Sequence, residues 1–217
     1  LGVTDQRGTY IRFKPDADVF ETVEYKPEVI SKRCRELAFL NKGLRIRFQD
    51  ENTGEEENFY YEEGIKDFVA HHNATKAAIH KDIVYISKHD DESGIGVEVA
   101  FQYNSDYASD AIFTFANNIH TPHGGTHLSG FKSALTRTLN KYGRDSKLVK
   151  ENEKLPEGND YLEGLVAVVS VKVPDPQFES QTKVKLSNSE VEGIVQQVVN
   201  ENLGTHLEEN PATAKII

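Results

Sequence analysis

The chain has 217 residues, 37% of them hydrophobic and 28% charged, which allows one large domain of roughly 100–200 residues or one domain with part of another. No apolar run approaches the ~18 residues of a membrane span, so the totals exclude membrane insertion and predict a soluble, cytoplasmic protein. Asp+Glu outnumber Lys+Arg by 35 to 25, a net charge of −10, which argues against a uniformly basic nucleic-acid-binding surface and leaves room for a local basic patch.

Residues 7–13 place Thr9, Ile11 and Phe13 in alternation and stop at Lys14-Pro15-Asp16, the pattern of a strand closed by a turn. Pro27 then opens a helix at its favoured first position, with Val29, Ile30, Leu37 and Leu40 as the apolar face and Asn41-Lys42-Gly43 as its end. The single cysteine, Cys34, falls in this amphipathic pattern; it excludes an internal disulfide and is expected to pack rather than react. Lys32, Arg33 and Arg35 are expected on the solvated side. Leu44, Ile46 and Phe48 alternate with polar residues and turn through Glu51-Asn52-Thr53-Gly54 into Phe59-Tyr60-Tyr61, which predicts a hairpin. A short helix over residues 65–69 precedes strands over 83–87, 96–101 and 111–116, read as a mostly antiparallel sheet.

From Leu128 the period becomes helical, with Phe131, Leu135, Leu139 and Tyr142 on one face. Residues 165–173, the most apolar and β-branched stretch, predict a buried central strand that ends at Pro174-Asp175-Pro176. Ser189 with Glu192 three residues on predicts a capping box for a final long helix carrying Val191, Ile194, Val195, Val198 and Val199. Asn210-Pro211 closes it, and 212–217 begin another helix. Methionine is absent, position 1 included, so the sequence reads as a piece of a longer chain, cut at both ends.

Charge is unevenly spread. Residues 121–150 carry a net +5 and the remainder −15. At about 100° per residue, Arg137, Lys141 and Arg144 share a sector nearly opposite the Phe131/Leu135/Leu139 face, with Lys132 beside it. A solvated helix face and a sequence-independent contact to a phosphate backbone both fit this stripe. His120, His123 and His127 have a spacing three imidazoles could use for zinc, but no Cys or carboxylate completes a set, and polar surface or capping roles are expected instead, with no metal. Gly124-Gly125 before the helix suits an anion or close packing equally. Gln181 and Lys183, on the loop after the buried strand, offer an amide donor and a point charge suited to a terminal phosphate. No Ser/His/Asp set or paired carboxylates make a complete active site.

Taken together, Gly124-Gly125-Thr126-His127-Leu128-Ser129-Gly130-Phe131, Leu135-Thr136-Arg137-Thr138-Leu139-Asn140, Glu163-Gly164-Leu165, residues 171–178 and Gln181-Thr182-Lys183 resemble, in order and spacing, the B subunits of bacterial DNA gyrase. Residues 35–41 and 94–100 match as well, so the resemblance covers nearly the whole chain. It implies part of an ATP-dependent type IIA topoisomerase, in which a GHKL ATPase domain is followed by an α+β transducer domain. That domain has a mostly antiparallel sheet, helices on one face and a left-handed β-α-β crossover. Residues 1–16 would be the tail of the ATPase domain and 17–217 the transducer. Thr9 would lie on the adenine side of the ATP pocket, and Gln181 and Lys183 would reach the γ-phosphate. Arg137, Lys141, Arg144 and Lys132 would face DNA, the lysine keeping the charge of the family's arginine without its bidentate fork.

The same resemblance implies ATP and Mg²⁺ for the whole protein, with neither bound by this stretch alone. Double-stranded DNA, the gyrase A protein and a second copy of the B subunit are the implied partners, and the catalytic residues of ATP hydrolysis and DNA cleavage lie elsewhere. The B subunit of topoisomerase IV shares these motifs. A nucleic-acid-binding module without nucleotide coupling is the alternative from another class.

Overall fold

A computed structural model describes residues 7–106 and 111–217. The architecture is built around β7 (Leu165–Lys172), in which every residue but the last is buried. A strand can be apolar at successive positions only if both faces of its sheet are covered, and here they are. β7 is the middle strand of a five-stranded sheet, flanked by β4 (Ile95–Tyr103), antiparallel, and β5 (Ala111–Ala116), parallel. β3 (Val84–Asp90) closes one edge against β4. The two-residue β6 (Ile119–His120), absent from the sequence expectation, closes the other edge across an Asn117-Asn118 turn.

Side chains of β7 alternate between two cores. Ala167, Val169 and Val171 join Val99 and Phe101 of β4 under α3 (Thr126–Asp145) and α4 (Ser189–Glu209). Val166 and Val168 join Ala100 and Phe115 under α1 (Pro27–Leu40) and α2 (Ile65–Asn73). The α+β class and the central strand therefore stand as expected, while the expectation of helices on one face is corrected: the second face is covered by α1 and α2. The parallel step from β5 to β7 passes through α3, which makes the β-α-β unit. The small hairpin of β1 (Ile46–Gln49) and β2 (Glu56–Phe59) packs on α1, and α5 (Pro211–Ile216) packs on α4. Among the described residues no helix is long and apolar enough to cross a membrane.

Four further expectations are corrected. Residues 7–13 form no strand, and Tyr10, Ile11 and Phe13 are 83%, 75% and 64% exposed; a strand needs a ladder partner, and no described segment supplies one. In α1 the buried residues are Ser31, Ala38, Phe39 and Leu40, while Val29 is exposed. Phe39 stacks on Phe68 at 4.8 Å and on Tyr61 at 3.8 Å, so aromatic packing anchors the C-terminal end of the helix and leaves its first turn free. Arg33 and Arg35 are likewise partly buried rather than simply solvated: Arg33 pairs with Glu36 and donates to the carbonyl of Asn118, and Arg35 pairs with Glu57. α4 begins at Ser189 as expected, but Ser189 is its first helical residue and the preceding Asn188 is the cap position, with no side-chain bond to the helix amides. The capping box is not formed.

Candidate functional site

After β7, Pro174 and Pro176 cannot donate to a ladder, and the chain leaves the sheet. Residues 177–187 then fold back on themselves as a narrow hairpin. Ser187 N–H donates to the Gln177 carbonyl at 2.9 Å, Glu179 N–H to that of Lys185 at 3.0 Å, and Phe178 bridges Leu186. At the tip, Lys183 N–H donates to the Ser180 carbonyl at 3.0 Å, and Lys183 itself adopts φ +55°. A turn followed by one left-handed residue closes a short hairpin with the right twist. It is normally given to glycine, and holding a lysine there costs about 1–3 kcal/mol. Gln181 and Lys183 are both exposed. Among the described residues Lys183 makes no ion pair; its ammonium lies 5.9 Å from the centre of the Phe178 ring.

The return arm of this hairpin is bonded to the start of α3. His123 N–H donates to the Val184 carbonyl, Leu186 N–H to that of Gly124, and Thr126 N–H to that of Leu186, at 3.0, 3.1 and 3.2 Å. Close approach explains the second glycine: Gly125 has φ +132°, and a Cβ there would lie 2.2 Å from the Leu186 carbonyl oxygen. Packing, rather than an open anion cradle, therefore accounts for Gly124-Gly125. A groove of about 460 Å³ runs between α3 and the hairpin, lined among others by His123, Thr126, Ser129, Lys132 and Lys185.

α3 begins at Thr126, two residues before its expected start, and buries Phe131, Ala134, Leu135, Thr138 and Leu139. Arg137, Lys141 and Arg144 are exposed on the other side, and Lys132 is half-buried at the groove. Elsewhere some cations are paired locally, as in Arg47–Glu56 at 2.5 Å and Lys88–Glu201 at 2.8 Å. Among the described residues none of the four α3 cations has an acidic partner within 4.0 Å. The stripe is therefore a run of cations that no acidic side chain among the described residues neutralises.

Thr9 is exposed in the stretch before α1, whose ion pair Arg12–Glu51 at 2.7 Å leads to the turn of the β1–β2 hairpin rather than to residues 177–187. The structure thus joins the Gln181/Lys183 hairpin to α3 and leaves Thr9 apart. The three histidines do not converge, and among the described residues no group of three His, Cys, Asp or Glu could hold a metal ion. His127 is not a surface or capping residue as expected. It is wholly buried, with Nε2 3.1 Å from Thr121 Oγ1, and burial pushes its pKa down to about 4. Cys34 is half-buried, and burial, followed by nearby Glu57, pushes its thiol pKa up, which suits packing over reactivity. Asn188, which no sequence signal singled out, is buried and binds the foot of the hairpin.

The family model for DNA gyrase B matches residues 64–217. The DNA gyrase B subunit of Clostridium acetobutylicum is 50% identical over 217 residues, all of this chain and 34% of that protein. That of Myxococcus xanthus is 51% identical over 215 residues, 99% of this chain and 26% of that protein. The chain therefore spans about a third or less of these relatives. Among solved structures, the 43K ATPase domain of Thermus thermophilus gyrase B in complex with an aminocoumarin superposes with a TM-score of 0.82 at 43% identity, covering 94% of this chain and 54% of that one. The topoisomerase IV ATP-binding domain of Francisella tularensis in complex with a small-molecule inhibitor gives 0.77 at 27%, covering 93% and 53%. With a family model across most of its length and half its residues shared with these subunits, the chain belongs to the DNA gyrase B family.

Proposed function

We propose that this chain is the coupling part of a DNA gyrase B subunit, which links the nucleotide state of an ATPase domain to capture of a DNA segment. In this reading residues 1–16 are the tail of the ATPase domain, with Thr9 on the adenine side of the nucleotide, and residues 17–217 are the transducer. The observation that carries it is the tip of the 177–187 hairpin, where an amide donor and an unneutralised ammonium stand exposed on an anchored loop. That donor set fits a terminal phosphate, with Lys183 supplying the counter-charge and Gln181 fixing its geometry. Lys183 and Gln181 are phosphate donors rather than metal ligands, and in this reading Mg²⁺ and the rest of the nucleotide are held by the neighbouring domain.

While Lys183 and Gln181 are engaged, the transducer is held against the ATPase domain; when the phosphate leaves, Lys183 loses its counter-charge and the two domains are free to rotate. The exposed cations of α3 face the DNA within a gate formed by two copies of the B subunit, in an assembly with the gyrase A protein. The match to the DNA gyrase B family model and the 50% and 51% identity to DNA gyrase B subunits favour gyrase. In the full-length protein, Lys183→Ala removes one charge-assisted bond and should lower ATP turnover about 10- to 100-fold, with supercoiling falling alongside. Unchanged turnover and supercoiling would refute the phosphate assignment.

A further inference from the structure

Asn188 stands at the cap position of a 21-residue helix, where an asparagine side chain ordinarily accepts from the helix's own first amides. It makes no such bond. Its side-chain oxygen instead accepts from the Gln177 N–H at 2.6 Å, and its side-chain nitrogen donates to the Asp175 carbonyl at 3.1 Å and to Glu190 Oε1 at 2.8 Å. Two of the partners are acceptors and the third a donor, so only one orientation of the amide satisfies all three. The residue is 3% exposed, and a polar group buried this deeply is held to its partners by the cost of leaving them unmade.

These bonds are placed at the foot of the hairpin. Asp175 lies just before the entering arm, Gln177 opens it and Asn188 directly follows the leaving arm. Pro176 has no N–H, so Gln177 supplies the next donor after Asp175, and Asn188 takes it while Ser187 N–H occupies the Gln177 carbonyl. Both backbone groups of Gln177 are thereby fixed. The leaving arm is tied separately to the residues before α3. The tip, by contrast, is exposed and carries a lysine in a left-handed conformation, so its direction depends on how its foot is held.

We propose that Asn188 is a positioning residue for the hairpin tip: by clamping the hairpin's foot to the start of α4 it presets Lys183 and Gln181 for a terminal phosphate. The inference rests on the phosphate reading given above. A preset contact gives up less freedom on binding, so loosening the foot weakens whatever depends on the tip and spares what does not. ADP lacks the phosphate the tip would meet, which separates positioning from general damage.

The test measures, in full-length protein, the affinities for ADP and for a non-hydrolysable ATP analogue that retains the γ-phosphate. Asn188→Ala should reduce the preference for the analogue about three- to tenfold and leave ADP affinity unchanged. Lys183→Ala should reduce the same preference, and the double variant should lose no more than Lys183→Ala alone, because Asn188 acts through the tip. Equal losses for ADP and the analogue, an unchanged preference in Asn188→Ala, or additive losses in the double variant would each overturn the positioning role. If Lys183→Ala leaves the preference intact, it is the phosphate reading that fails. Should Asn188→Ala not fold, Asn188→Asp keeps the acceptor for Gln177 and loses the two donated bonds; a preference between those of wild type and Lys183→Ala supports the role, and a wild-type preference contradicts it.

Discussion

His127 enters the core with one ring nitrogen bonded to Thr121 and the other, Nδ1, buried without a partner among the described residues. Protonating it would put a charge where no acid faces it, which is why burial alone takes its pKa from 6.5 to about 4. As pH falls below 6.5 the unfolded chain binds this proton before the folded one does. Stability is therefore lost as pH drops from 6.5 towards 4, by about 2–3 kcal/mol at pH 4.5 from this group. His80, buried with Nε2 accepting from the Tyr103 N–H, is shifted the same way, chiefly by burial. Urea titrations at pH 7 and 4.5 check this: His127→Gln should narrow the gap between the two pH values, and a gap unchanged by the substitution would contradict the assignment. Gly125 poses the opposite problem, a residue that must stay small. Gly125→Ala should cost about 3 kcal/mol or more, from a strained φ and a Cβ inside the contact distance of Leu186. Pairing and spacing alone left Gly124-Gly125 open between anion binding and packing, because what decides is a neighbour 61 positions away in the chain.

At the level of elements, legibility followed how much of each element's environment is local. β7 could be read because an unbroken run of apolar or small residues from Leu165 to Val171 leaves no solvent face, and α4 because Val191, Val195, Val198 and Val199 recur at helical steps and are all buried. The β1–β2 hairpin was readable from its turn. What escaped depended on distant partners. The strand pattern of residues 7–13 has no ladder to join among the described residues, Val29 in the first turn of α1 stays exposed, and the cap of α4 is diverted by a hairpin folded from residues upstream. The Gln181/Lys183 loop could be picked out by chemistry, but its attachment to α3 could not, since backbone bonds between separate segments leave no mark in composition. Two substitutions separate the buried from the exposed readings. Leu203→Ala in α4, wholly buried, should cost about 2–5 kcal/mol, whereas Val29→Ala in α1 should change stability by no more than about 0.5 kcal/mol. Chemical denaturation of the chain measures both, and a large cost at Val29 would restore the face predicted from periodicity.

Across the whole molecule, the covering of both sheet faces leaves functional chemistry only at edges and on outer helix surfaces, and there the charge distribution takes over. A chain of net −10 repels a polyanion on average, yet its one strongly basic stretch, 121–150, lies mostly on the outer side of α3, where Arg137, Lys141 and Arg144 are exposed without acidic partners among the described residues. On the proposed reading, the acidic remainder would restrict which face DNA approaches, so that orientation would come from repulsion as much as from attraction. Contacts of this kind displace counterions and read no bases. In full-length protein, replacing Arg137, Lys141 and Arg144 together with Gln should reduce the slope of log affinity against log salt by about 3, with no change in sequence preference. Replacing them with Glu should weaken DNA-stimulated ATP turnover further as salt is lowered, because repulsion is screened least there. The three side chains point away from the core, so the melting temperature should stay near that of wild type and separate lost binding from lost folding. An unaltered salt slope in the Gln variant would mean that α3 presents an ordinary solvated face and that DNA is met elsewhere.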